Sequence, residues 1–156
     1  MCSIYRVKWS KIGSLTQPIS GLGSSSMIDS EDLLQRFVSY VKIDTQSDSH
    51  SSSTPSTSKQ WTLIRKLQAE LQEMGVVDLQ VTEFGYVLAT LPSNSKKAKV
   101  PCVAFLAHVD TADSCSGEAR PLVHRAYRGQ PIVLPDDPTQ TLSVENTPLL
   151  ARKNGE

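Results

Sequence analysis

Between residues 30 and 42 the apolar side chains Leu34, Phe37, Val38 and Val41 recur at three- and four-residue intervals, which gathers them on one face of a helix. Asp29 and Ser30 can accept the first free amide hydrogens, and Glu31 and Asp32 put negative charge at the helix's positive end. An amphipathic helix over residues 30–42 follows. From Asp44 to Ser58 serine and threonine dominate; their hydroxyls compete for neighbouring backbone groups, so this stretch reads as a loop. A second helical pattern starts at Ser58, with Trp61, Ile64, Leu67, Leu71 and Met74 on its inner side. Gly75 can adopt the left-handed exit that ends it at Met74.

The period then changes. Val77, Leu79 and Val81 alternate with Asp78, Gln80 and Thr82, the pattern of a strand with one face buried. Gly85 supplies a turn, Tyr86–Leu91 a second strand, and Pro92–Lys99 a polar connection that carries Lys96, Lys97 and Lys99. Val100–Ala107 is the most apolar run and predicts a strand buried on both faces, central in its sheet. Beyond Thr111 proline, glycine and charge prevail, with Ile132–Leu134 the only strand candidate and no recognisable closing helix or strand before Glu156. The order of elements predicts an α/β domain that is incomplete, its sheet half covered. Nothing in the pattern demands two domains.

Composition narrows the classes. Lysine plus arginine and aspartate plus glutamate both number 16, so no excess positive charge is available to neutralise a phosphate backbone, and a nucleic-acid partner is not expected. No apolar run approaches the roughly 20 residues that cross a bilayer, so no membrane partner is expected either. Cys2, Cys102 and Cys115 are widely spaced and lack a C-x-x-C pair, which fits a reducing, cytoplasmic setting better than a disulfide framework. Residues 1–26 carry Arg6, Lys8 and Lys11 without the apolar core of a signal peptide. They read as a disordered extension that packs on nothing, ahead of a domain portion at 27–156 that begins at Met27.

Candidate chemistry lies where the apolar run gives way to His108-Val109-Asp110-Thr111. Sites in open α/β sheets form beyond the carboxyl ends of strands, where a rigid sheet holds side chains that face a crevice. Two residues apart on an extended chain, about 6.6–6.8 Å, His108 and Asp110 point to the same side. A neutral imidazole binds zinc through one nitrogen, and its other N–H needs an acceptor, which Asp110 can provide. Strand-end histidines and aspartates also cap loops or bind water, so the pair by itself leaves both readings open. His50 and His124 have no partner at ligand spacing and read as loop residues, and Cys115 has no base paired with it in sequence. Arg128 suits a turn as well as a substrate carboxylate.

Several segments carry a family resemblance: Leu33–Phe37 leading to Ile43-Asp44-Thr45-Gln46-Ser47, Pro55-Ser56-Thr57 before Gln60-Trp61, Leu71–Gly75, Ala89–Pro92, and above all His108–Thr111 followed by Cys115-Ser116-Gly117 and Tyr127-Arg128-Gly129. Over residues 28–156 the chain resembles the start of the peptidase T family, tripeptide aminopeptidases among the two-zinc exopeptidases that also include aminoacylases, carboxypeptidases and dipeptidases. The resemblance implies the amino-terminal part of a zinc-exopeptidase catalytic domain, a mixed sheet flanked by helices. It implies a terminal zinc ligand at His108 and a catalytic-site aspartate at Asp110 that holds the imidazole. Of the two zinc ions per complete site, only one ligand is then present; the bridging aspartate, the glutamate base and the remaining ligands of the family lie in none of these segments. Small peptides, tripeptides above all, are the implied substrates, and the full-length parent is expected to be able to form a homodimer. The isolated chain is expected to be an inactive amino-terminal fragment. A dipeptidase or aminoacylase of the same superfamily would share His108–Thr111 without the Cys-Ser-Gly and Tyr-Arg-Gly segments, and a non-catalytic binding module is the alternative outside enzymes.

Overall fold

A computed structural model describes residues 2–7, 29–153 and 155. The order is β1 (Cys2–Val7), α1 (Ser30–Val41), α2 (Gln60–Glu73), β2 (Asp78–Val81), β3 (Val87–Thr90), β4 (Val103–His108), β5 (Ile132–Leu134), β6 (Asp137–Leu142) and a 3₁₀ helix over Pro148–Lys153. The α/β class holds. Among the described residues the strands form three two-stranded antiparallel sheets, β1 with β4, β2 with β3, and β5 with β6. The chain divides between Pro121 and Leu122 into two compact units, where the sequence pattern alone had not demanded a second.

Both helices form where the apolar spacing places them. Asp29 caps α1, its carboxylate accepting from the amides of Glu31 and Asp32 at 2.9 and 3.2 Å. α2 ends at Glu73 with Met74 as its C-cap, and Gly75, at φ 81°, takes the left-handed exit. Its buried side is Gln60, Leu63, Ile64 and Leu67, rotated from the expected stripe, so that Met74 stays 46% exposed. These residues meet β3, whose Val87 and Ala89 are buried. Ile64 and Val87 are sealed from solvent, each burial contributing about 1.5–3 kcal/mol. α1 is fastened to α2 by charge instead: Glu70 accepts from Arg36 Nη1 at 3.0 Å, pairs with Lys66 at 3.0 Å and takes a short hydrogen bond from the Tyr40 hydroxyl. Partial burial, together with that bond, pushes the Tyr40 phenol up to about 12.

β4 departs from expectation. Val103, Phe105 and Leu106 are 47%, 67% and 58% exposed, and among the described residues the strand is not central but pairs with β1 alone. An apolar run records a strand's need for cover; among the described residues neither α1 nor α2 makes more than a marginal contact with it. Residues 1–26 were expected to pack on nothing. Cys2–Val7 instead run antiparallel to β4, Cys2 opposite His108 and Val7 opposite Val103, and the rest of that segment lies outside the described residues.

In the unit from Leu122, β5 and β6 form an irregular hairpin, and Tyr127 is buried with its carbonyl accepting from the Gly155 amide at 2.7 Å. β6 carries Pro138, which disguised it in sequence and is tolerated on an edge strand. The Pro148–Lys153 helix likewise has too little apolar periodicity to be seen beforehand.

The packing predicts a contrast between two apolar residues. Ile64→Ala should lower unfolding stability by about 2–5 kcal/mol in urea titration, whereas Phe105→Ala should stay within about 0.5 kcal/mol, because Phe105 is mostly in solvent already.

Candidate functional site

His108 is the last residue of β4, and by Asp110, two residues later, the chain has left the strand. The His108 Nδ1 lies 3.0 Å from the Asp110 carbonyl oxygen and 3.3 Å from Asp110 Oδ1. Both are acceptors, so the proton belongs on Nδ1 and the Nε2 lone pair is left for another partner. The nearer acceptor is the main-chain carbonyl, and the carboxylate comes second. The imidazole is 74% exposed, while the Asp110 side chain, at 19%, is mostly withdrawn. Sequence had placed these two groups on one side of a strand end; the structure brings them into contact.

The next residue fixes the turn. The Thr111 amide donates to the Thr45 carbonyl at 3.1 Å, and the Thr111 carbonyl accepts from the Ser47 amide at 3.0 Å and the Ser47 hydroxyl at 2.9 Å. Gln46 and Thr111 thereby form an isolated parallel bridge. Gln46 Nε2 extends the grip by donating to the Asp113 carbonyl at 2.8 Å, and the Ala119 amide donates to Val41 at 2.9 Å. The serine-rich stretch after α1, loop by composition, is thus the rail on which the His108 turn is mounted.

Asp44 holds that rail. Its Oδ2 accepts from Lys59 Nζ at 2.8 Å and its Oδ1 from the Gln46 amide at 3.0 Å. The Lys59 ammonium foremost, then the Gln46 amide, with a smaller contribution from the Gly117 amide, keep the Asp44 carboxyl below the usual carboxylate range. Gly117 closes in from the other side. A β-carbon there would stand 2.7 Å from Thr111 Oγ1 and 2.8 Å from both Asp44 Oδ1 and the Thr45 nitrogen, so only glycine fits.

An apolar hollow of about 340 Å³ borders His108, lined by Phe37, Tyr40, Val41, Ile43, Leu63 and Val109 among others. A larger, polar depression of about 510 Å³ lies between Gln46, Asp48, His50, Lys59 and Asp113, and does not include His108 or Asp110. His124, Cys102 and Cys115 are all exposed. The Arg128 amide donates to Gln130 Oε1 at 2.9 Å, within a local turn. No group of three or more His, Cys, Asp or Glu side chains among the described residues is arranged to hold a metal ion. The set fits one terminal imidazole ligand and not a whole metal centre. No described helix is long and apolar enough to cross a membrane.

No family model matches the sequence. Peptidase T of Listeria monocytogenes serotype 4b (strain CLIP80459) is 48% identical over 127 residues, 81% of this chain. Peptidase T of Listeria innocua serovar 6a is 47% identical over 127 residues, and that of Bacillus velezensis 46% over 126. The chain is homologous to peptidase T. It spans under a third of those relatives' own length, 31% of the two Listeria proteins and 30% of the Bacillus one. Asp44–Ser47 and Gly117, to which local sequence pattern assigns no chemistry, meet at Thr111. One local sign was present in the sequence: an aspartate two residues before a free amide can close an Asx turn, as Asp44 does with Gln46.

The Asp44 environment fixes a pH dependence. A carboxyl whose folded pKa is depressed contributes stability that is present above its unfolded pKa, about 4, and is lost as pH falls through the lower folded value. Urea midpoints of the parent chain and Asp44→Asn should therefore differ near about pH 7 and draw together as pH falls below the unfolded value of about 4; a gap that does not change with pH would show that the charge contributes nothing.

Proposed function

We propose that this chain supplies the first metal ligand and its orienting turn to a zinc-dependent tripeptide aminopeptidase, a peptidase that releases the amino-terminal residue of small peptides in the cytoplasm. The observation that carries the reading is the His108–Asp110 contact at the end of β4, which fixes Nδ1 and leaves Nε2 free to bind a metal; homology to peptidase T supports it. His108 would bind one zinc through Nε2 and Asp110 would hold the ring. Zinc, when bound, polarises a scissile carbonyl and makes water acidic enough to attack at neutral pH.

The chain's own part is positional. Asp110 holds the ring orientation through two acceptors, so the imidazole need not be ordered when the metal arrives. Thr111 anchors the turn from behind. Catalytic zinc takes three protein ligands as a rule, and the described residues offer one, so the chain alone is expected to be inactive. The site of the complete enzyme would be finished by residues from the remainder of a peptidase T chain.

Two measurements test this. The purified chain with added zinc should hydrolyse no tripeptide; turnover abolished by a chelator would overturn the single-ligand reading. A chimera in which this segment replaces the matching stretch of the Listeria monocytogenes peptidase T should be active and should lose activity on His108→Ala. Asp110→Ala, which leaves the ligand but loosens its aim, should cost about 10- to 100-fold in activity or zinc affinity. Full activity of the His108→Ala chimera would remove histidine ligation from the account.

A further inference from the structure

Behind His108 and Asp110, the contacts that hold the strand end converge on one carboxylate, that of Asp44. We propose that Asp44 is a positioning residue for the His108–Asp110 turn and that it acts through the acceptor geometry of its Oδ1 rather than through its charge. The inference rests on the reading of His108 as a metal ligand.

The geometry separates the two halves of the carboxylate. Oδ2 faces outward to Lys59 Nζ at 2.8 Å, a pair whose side chains are 41% and 34% exposed; exposed ion pairs of this kind are worth little. Oδ1 faces inward. It accepts from the Gln46 amide at 3.0 Å, which turns the chain so that Thr45 and Ser47 present a carbonyl and an amide to Thr111. Thr45 is only 2% exposed, so the edge it offers has no freedom to re-form elsewhere. Thr111 stands one residue from Asp110, whose carbonyl is the closer acceptor for the His108 ring. A displacement of Asp44 Oδ1 therefore passes through Thr45 and Ser47 to Thr111, and from there to the group that aims the imidazole.

Gly117 gives a second, independent view of the same constraint. A β-carbon at that position would approach Asp44 Oδ1, Thr111 Oγ1 and the Thr45 nitrogen together, all within 2.8 Å. The three atoms belong to the acceptor, the anchored residue and the rail. Nothing wider than glycine leaves them in register, so the loop after the His108 turn is closed onto the same point that Asp44 organises.

Acceptor geometry and charge are separable by substitution. Asp44→Asn keeps an Oδ1 acceptor and removes the charge; Lys59→Met removes the ion pair, together with the Lys59 bond to Gln46 Oε1 at 3.2 Å, and leaves the acceptor; Asp44→Ala removes both acceptor and charge; Gly117→Ala strains the contact with Asp44 in place. In the full chain, labelled with ¹⁵N, the readouts are hydrogen exchange of the Thr111 amide and the ring-nitrogen shifts of His108, taken at one pH where the ring is neutral. In these two local signals, whatever the change in urea midpoint, Asp44→Asn and Lys59→Met should match the parent chain. Asp44→Ala and Gly117→Ala should speed Thr111 exchange on the order of 10-fold or more, as expected when a local hydrogen bond opens, and should draw the two ring shifts together as the Nδ1–H tautomer loses its preference. Unchanged Thr111 and His108 signals in the two alanine variants would overturn the proposal, as would Lys59→Met disturbing them as much as Asp44→Ala. Protection at Ile64 and Val87 reports the core; if both alanine variants lose it, Asp44 is a residue of the fold at large and the positioning role is rejected. Zn²⁺ alone, added to the parent chain, separates the two inferences: an absence of any His108 shift counts against metal ligation and leaves the ranking of the four variants standing.

Discussion

Two main-chain hydrogen bonds at Thr111, one to Thr45 and one from Ser47, determine whether the end of β4 is a site or a loose end. A strand terminus has soft dihedrals, and a histidine there samples many directions unless its neighbours are held. By pairing Thr111 with a segment more than sixty residues earlier, the fold turns a local Asp110 contact into a fixed one. The bonds are short in reach but long in sequence separation, so closing them costs chain entropy that a contact between near neighbours does not.

What stabilises the two ends of the rail differs in kind. At one end the helices are joined through Glu70, which gathers Arg36, Tyr40 and Lys66 into one charged knot. At the other, Leu63, Ile64 and Leu67 of α2 close over Val87 and Ala89. The first is directional and tolerates water; the second is not directional and excludes it. The loop between the helices inherits its position from both.

Much of this was legible beforehand, for reasons that can be named. The spacing of Leu34, Phe37, Val38 and Val41, and Asp29 ahead of them, announced α1 because helix periodicity and capping are local properties. Gly75 announced the end of α2 for the same reason. His108 and Asp110 were visible as a pair because their contact spans two residues. The rail was not, since Thr45 and Ser47 reveal nothing until Thr111 is beside them. β6 was hidden by Pro138, whose meaning depends on whether the strand lies at an edge. The exposure of β4 is not legible in its apolar run, because hydrophobicity states a demand that other parts of the molecule must meet.

That unmet demand has a colloidal side. Val103-Ala104-Phe105-Leu106-Ala107-His108 is a six-residue extended segment without proline or acidic side chains, paired along one edge by β1 and apolar on both faces. Such segments are the seeds of intermolecular strand stacking, because every copy offers the same template to the next. Encounter between molecules, which grows with the square of concentration, competes with the encounter within the molecule that covers the strand. How crowded the chain is while it folds therefore bears on its fate as much as how stable it is once folded.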